Sequence, residues 1–138
     1  MIQPHSSSTL NGLYVDEADA RAALQEDAKT LPALLLNSAA AANAVMLGGG
    51  YFNPLSGFMD KEDALSVAQE LHTRTGVFWP IPILNLTSAE ERVQPGTRVA
   101  LRDPNVKGMP VLAVQEVESV ELLVCLIHLC RCRRRLRC

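Results

Sequence analysis

Apolar positions recur at helical spacing through the first seventy residues, and the texture then changes to extended runs. Asp16 and Asp19 stand like an N-cap and an acidic third position ahead of an Ala/Leu stretch. The spacing predicts a first helix from about Glu17 to Ala28, with its acids near the positive end of the dipole. Pro32 interrupts, and the apolar run Ala33–Leu36 reads as a short strand or a turn. Asn37 or Ser38 can cap a second helix, Ala39–Leu47, rich in alanine and halted by Gly48-Gly49-Gly50. A loop follows over residues 51–59, where two aromatics, a Pro and a Gly within a few positions predict a backbone of fixed shape with anchored side chains. Asp60 and Asp63 repeat the cap pattern before a third helix to about His72. Its Ala64, Val67, Ala68 and Leu71 form one apolar stripe.

From Gly76 onward the pattern favours strands. Val77-Phe78-Trp79 leads into Pro80-Ile81-Pro82-Ile83-Leu84-Asn85-Leu86, where two prolines at alternate positions remove donors from one edge. The segment therefore reads as an edge strand or an extended entry into one. Pro95-Gly96 marks a turn, and Thr97–Arg102 alternates Val99 and Leu101 against Arg98 and Arg102. Asp103-Pro104-Asn105 with Gly108 reads as another turn, and Pro110–Val117 as a final apolar strand. Helices first and strands second, without βαβ alternation, predict an α+β fold with a small antiparallel sheet or barrel. No internal repeat is visible, and no linker is long enough to separate two domains.

Composition narrows the class further. The chain has 138 residues, 48% hydrophobic and 20% charged, which fits one ordinary globular domain and excludes disorder and collagen-like structure. No run approaches the roughly 20 apolar residues a bilayer demands. The opening Met-Ile-Gln-Pro-His lacks the basic-then-apolar pattern of a signal peptide, so a cytoplasmic setting without a membrane is expected.

Charge is unevenly spread. Residues 1–120 hold eight basic and fourteen acidic side chains, net −6, whereas residues 121–138 hold five arginines and one acid, net +4. All four cysteines (Cys125, Cys130, Cys132 and Cys138) also lie in that tail. So abrupt a shift suggests two compositions joined near Val120, and residues 121–138 are read as an aberrant Cys/Arg-rich tail, frameshifted or disordered. Three other readings compete. A metal site from Cys125, His128, Cys130 and Cys132 lacks paired Cys-x-x-Cys spacing. A surface anchor has only the short apolar stretch Leu122–Leu129. Nucleic-acid contact through the arginines would be sequence-blind at most.

Little catalytic chemistry is legible. Gly48-Gly49-Gly50 lacks the Gly-Lys-Ser/Thr of a phosphate loop and follows a helix, so a C-cap and turn is the preferred reading. His5 sits in the polar opening and His72 at a helix end, with no nucleophile motif beside either. Asp60, Glu62 and Asp63 read as a dipole-facing cap rather than a metal cluster. Trp79, the single tryptophan, reads as a core anchor. No catalytic, cofactor-binding or metal-binding residue is assigned.

Several stretches together resemble the N-terminal domain of ATP sulfurylase (sulfate adenylyltransferase). The opening Met1-Ile2-Gln3-Pro4-His5 is similar to that family's start. The most specific piece is Met46-Leu47-Gly48-Gly49-Gly50-Tyr51-Phe52-Asn53-Pro54-Leu55-Ser56-Gly57-Phe58-Met59, which resembles the family's Gly-rich, Pro-Leu-x-Gly-Phe-Met loop. Trp79-Pro80-Ile81-Pro82-Ile83 and Pro95-Gly96-Thr97-Arg98-Val99-Ala100-Leu101-Arg102-Asp103-Pro104 continue the likeness in order. It covers residues 1–120. Departures are Asn85, where many relatives carry Asp, and everything after Glu121.

The resemblance implies a PUA-like domain at residues 1–120, a small mixed barrel-like fold placed ahead of a catalytic domain. The family's full enzyme joins sulfate to the α-phosphate of MgATP, giving adenosine 5′-phosphosulfate and pyrophosphate. Its catalytic hallmarks, Gln-x-Arg-Asn, His-x-x-His and a Gly-Arg-Asp-His loop, do not occur in this sequence. Leu101-Arg102-Asp103-Pro104 is a superficial echo without the Gly or the His. The expectation is a non-catalytic domain, inactive alone, with no cofactor of its own. Its expected partner is a catalytic domain, contacted through Tyr51, Phe52, Pro54, Leu55, Phe58 and Met59 and through the final strand. Further copies of the chain are the other candidate partner. The alternative is a stand-alone RNA-binding or interaction module of PUA type, against which the net −6 argues, because phosphate neutralisation needs a basic face.

Overall fold

A computed structural model describes residues 12–87 and 93–122. Its elements, in chain order, are α1 (Ala18–Thr30), β1 (Ala33–Leu35), α2 (Ser38–Gly48), α3 (Lys61–Glu70), β2 (Arg98–Arg102) and β3 (Val111–Glu116). The three strands form a mixed sheet of order β1-β2-β3, β1 parallel and β3 antiparallel to the central β2. The fold is therefore α+β, as expected, with one change of order. The three-residue β1 stands between two helices, so strands do not all follow helices. A strand that buries only Leu34 offers too short a window for alternation to declare itself.

Two compact units divide the chain. Among the described residues, the first comprises 12–58, 85–87 and 93–120, and the second 59–84 with 121 and 122. The chain leaves the first unit and returns to it without a linker, so composition carries no trace of the division. The readings placed on the tail and on His5 fall outside the described residues, apart from Glu121 and Leu122.

In the first unit β2 is the organising strand. Val99, Ala100 and Leu101 are all buried, where the sequence pattern marks only Val99 and Leu101. Successive side chains point to opposite faces of a strand. Val99 and Leu101 share a core with Leu34, Leu36, Ala40, Ala41 and Val117, with Phe58 and Ala113 packed against it. Arg98 and Ala100 face the other way, toward α1, where Arg98 pairs with Asp27 at 2.7 Å. The parallel pairing is closed by backbone bonds from Ala100 N–H to Pro32 O and from Leu36 N–H to Arg102 O, each 2.9 Å.

The helix ends separate two kinds of cap. Asn37 accepts the Ala40 N–H at 2.8 Å, and Asp60 accepts the Asp63 N–H at 2.7 Å, as short acceptor side chains should. At α1 the expectation of an Asp16 cap is not met. The helix begins one residue later than expected, at Ala18, with Glu17 in the cap position and no side-chain bond to the backbone. Asp19 still lies in the first turn, near the positive end of the dipole.

The second unit contains α3 and the segment that follows it. Ala64, Val67, Trp79 and Ile83 are buried there, so Trp79 is a core anchor as read. Leu71 departs from the predicted stripe. It occupies the left-handed C-cap of α3 (φ 59°), ends the helix before His72 and leaves its side chain exposed. Residues 77–86 form no strand. A single bridge joins His72 and Phe78, and Met59 N–H donates to Ile83 O at 2.8 Å. Pro80 and Pro82 lack the donors a ladder requires, which leaves the segment extended but unpaired as a strand.

The contrast between caps is testable. Asn37→Ala should lower the unfolding free energy by about 1 kcal/mol, whereas Glu17→Ala should change it by less than about 0.5 kcal/mol. Urea midpoints of the two variants check this.

Candidate functional surface

The candidate site is built at the C-terminal end of α2, where three consecutive glycines do three different things. Gly50 takes φ 73°, and its N–H donates to Leu47 O while Tyr51 N–H reaches back to Met46 O, both at 3.0 Å. Paired bonds of this kind, with a left-handed residue after the cap, are the Schellman ending of a helix, and glycine is the residue that adopts it without strain. Gly48 lies under Tyr14: a Cβ there would stand 2.7 Å from the ring's Cε1. Gly49 lies under Tyr51, where a Cβ would stand 2.7 Å from Cε2. Tyr14 is fixed further by Leu13 N–H donating to Gly48 O at 2.8 Å and by its own hydroxyl donating to Val45 O at 3.3 Å. Both rings remain largely exposed, 61% for Tyr14 and 67% for Tyr51.

The predicted contact residues divide. Tyr51 and Pro54 are exposed, and Phe52 and Leu55 are half-buried; Asn53, between them, is buried. The Asn53–Pro54 bond is cis. Phe58 is half-buried and packs against the first unit's core. Met59 belongs to the second unit, and its sulfur accepts the Ile83 N–H at 3.5 Å. Both are half-buried, as Phe52 and Leu55 are. In the final strand Leu112 is exposed, whereas Val111, Ala113 and Val114 are half-buried.

Beside α2 lies an open cleft of about 390 Å³, its walls including Ala42 and Val45 from the helix and Leu112 from β3. Ser38, Asp103 and Asn105 supply its polar lining, and Asn105 Nδ2 donates both to Asp103 Oδ1 at 2.9 Å and to Ser38 Oγ at 3.3 Å. The lining contains no basic side chain. This arrangement offers neither an activated nucleophile nor a cradle for phosphate.

The other singled-out residues have structural partners. Asp60, Glu62 and Asp63 gather around Arg74, which pairs with Asp60 at 2.7 Å, with Asp63 at 3.4 Å and with Glu62. Arg74 N–H also donates to Asp63 Oδ1 at 2.8 Å. The neighbouring charge of Asp60, above all, raises the guanidinium's pKa beyond its ordinary value. His72 is exposed, and its Nδ1 lies 2.7 Å from Glu70 O, which makes that nitrogen the donor. Among the described residues no group of His, Cys, Asp and Glu is placed to hold a metal ion.

Tyr14 and Val45 are surface residues that the sequence pattern did not single out, and Met46 entered only as the first residue of the Gly-rich motif. The available signal was the complete absence of charge from Ser38 to Gly48.

Comparison with known proteins supplies the wider frame. A family described as a PUA-like domain matches residues 2–123. The sulfate adenylyltransferase of Alcanivorax borkumensis is 51% identical over 121 residues, and that of Allochromatium vinosum 47% identical over 121 residues. Each alignment covers 88% of this chain and 30% of the relative, so the chain spans less than a third of the enzymes it matches. Among solved structures, the hexameric APS kinase from Thiobacillus denitrificans superposes with a TM-score of 0.63 at 35% identity, over 76% of this chain and 21% of that one.

The glycine assignments predict different outcomes for neighbouring substitutions. Gly50→Ala should destabilise by about 1–2 kcal/mol, the cost of a side chain in the left-handed region. Gly49→Ala should leave stability within about 1 kcal/mol, because an exposed ring can swing aside. Its effect should instead be loss of nuclear Overhauser contacts between the Tyr51 ring and residue 49. Thermal melts and NMR of the two variants decide the matter.

Proposed function

This chain belongs to the PUA-like domain family, and we propose that it serves as the non-catalytic N-terminal domain of a sulfate adenylyltransferase. The observation that carries this reading is the match to enzymes of that name at 51% and 47% identity, which uses 88% of this chain but only 30% of theirs. Adenylyl transfer to sulfate, a weak nucleophile, needs cations and amide donors positioned around several phosphate charges. Residues 1–120 carry eight basic side chains among fourteen acids. Of these eight, Arg74 is engaged by three carboxylates and Arg98 by Asp27. Binding of MgATP and the chemistry belong, on this reading, to the remainder of the enzyme, and the chain itself takes no cofactor.

The partner is then that remainder, met through Tyr51, Phe52, Pro54 and Leu55 and through Leu112 of the final strand. Tyr51 and Leu112 are apolar side chains held outward, the kind of group that desolvates at an interface. Assembly with further copies is supported by the solved relative described as hexameric. A cytoplasmic setting is proposed on the ground of the enzymes it resembles. Among the described residues no helix is long and apolar enough to cross a membrane. The net −6 of residues 1–120 disfavours a stand-alone RNA-binding role, which would require a basic face.

The purified chain is expected to release no pyrophosphate from ATP in a sulfate-dependent manner. Turnover of that kind would overturn the reading. With its docking surface uncovered, the chain should also associate in reducing buffer; sedimentation as a monodisperse monomer would count against that surface.

A further inference from the structure

Within the first unit, α1 and α2 differ in a way that the fold alone does not require. The surface of α1 carries Asp19, Arg21, Glu26 and Lys29, an ordinary solvated face. The eleven residues of α2 include no charge at all. Its inner side buries Ala40, Ala41 and Leu47, and its outer side exposes Ala39, Ala42, Val45 and Met46. Ser38 and Asn43 are its only polar side chains, and a helix so nearly apolar is normally covered on most of its surface. Tyr14 extends the same face, held beside Val45 by its hydroxyl and over Gly48 by its ring. Leu112 flanks the cleft opposite Val45, with Ser38, Asp103 and Asn105 as polar lining. Exposed Val and Met side chains flanked by an aromatic and by polar groups match the composition of a protein interface rather than that of free surface.

We propose that the outer face of α2, with Tyr14 and Leu112 at its edges, is a docking face for the part of sulfate adenylyltransferase that this chain does not match. The inference rests on the functional reading above and adds to it a helix face lying outside the Tyr51–Leu55 loop. Length argues for this occupant: over two thirds of each matched enzyme lies beyond the aligned segment, a portion large enough to cover this face and joined to it in one chain. The chemistry of the face also selects among occupants. With no charge on α2 and no basic group in the cleft, nothing there attracts nucleic acid or anionic lipid.

The test mixes the full 138-residue chain with Alcanivorax borkumensis sulfate adenylyltransferase from which the matching segment has been removed. Hydroxyl-radical oxidation of Tyr14, Met46 and Tyr51 is then followed, with exposed Phe78 as an internal reference. In the complex, oxidation of Tyr14 and Met46 is expected to fall at least fivefold. Val45→Glu and Ala42→Glu, each checked for an unchanged circular dichroism melt, should weaken the complex at least tenfold. Protection of Tyr51 with Tyr14 and Met46 still reactive would overturn this inference and leave the functional reading standing. Absence of any complex would overturn both. Protection already present in the chain alone, lost on dilution and not replaced by protection from the truncated enzyme, would assign the face to a second copy and overturn the occupant named here.

Discussion

Ala100 is fully buried because β2 is paired along both edges and covered on both faces, and the first unit depends on that enclosure. A strand so placed must satisfy its backbone through two ladders at once, one parallel and one antiparallel. It must also present small or apolar side chains in both directions, and Val99-Ala100-Leu101 does so. Once β2 is set, β1 has a partner for its three residues, and α1 and α2 have opposite faces to cover. The Arg98–Asp27 pair lies at the surface of this arrangement and adds little to its stability, as exposed pairs generally do.

The glycine triplet converts that scaffold into a surface. One glycine supplies the left-handed ending of α2, and its two predecessors supply bare backbone on which tyrosine rings rest. Half-buried Phe58 packs against the core at the end of the loop, so the exposed aromatics are presented by a supported backbone. Preorganisation of this kind lowers the ordering cost of association, because the rings are already placed before a partner arrives. The site is thus suited to being covered.

The acidic cluster in the second unit has a comparable structural explanation. Asp60 caps α3, Asp63 meets both the backbone and the side chain of Arg74, and Glu62 completes the shell. Three carboxylates at a helix start invite a metal-site reading. Here a single guanidinium brought back by the chain eleven to fourteen residues later takes that place.

Much was legible in the chain itself. The short-range signals were reliable where one residue type does one local job: Asn37 and Asp60 as caps, the glycines as a helix ending, Trp79 as an anchor. The Gly-rich loop and the segments after it identified the family, and the missing catalytic motifs followed by inspection. What the sequence left undecided depended on contacts distant along the chain. The parallel pairing of Ala33–Leu35 with residues 100–102 joins segments more than sixty positions apart, and no local periodicity encodes it. The packing of Phe58 against the core and the gathering of carboxylates around Arg74 are of the same kind. Local propensity and spacing therefore determined the elements, their ends and the family. Only the tertiary structure decided which faces were spent on the protein's own core and which, like the outer side of α2, were left over, because burial is a property of neighbours that the chain brings together only by folding.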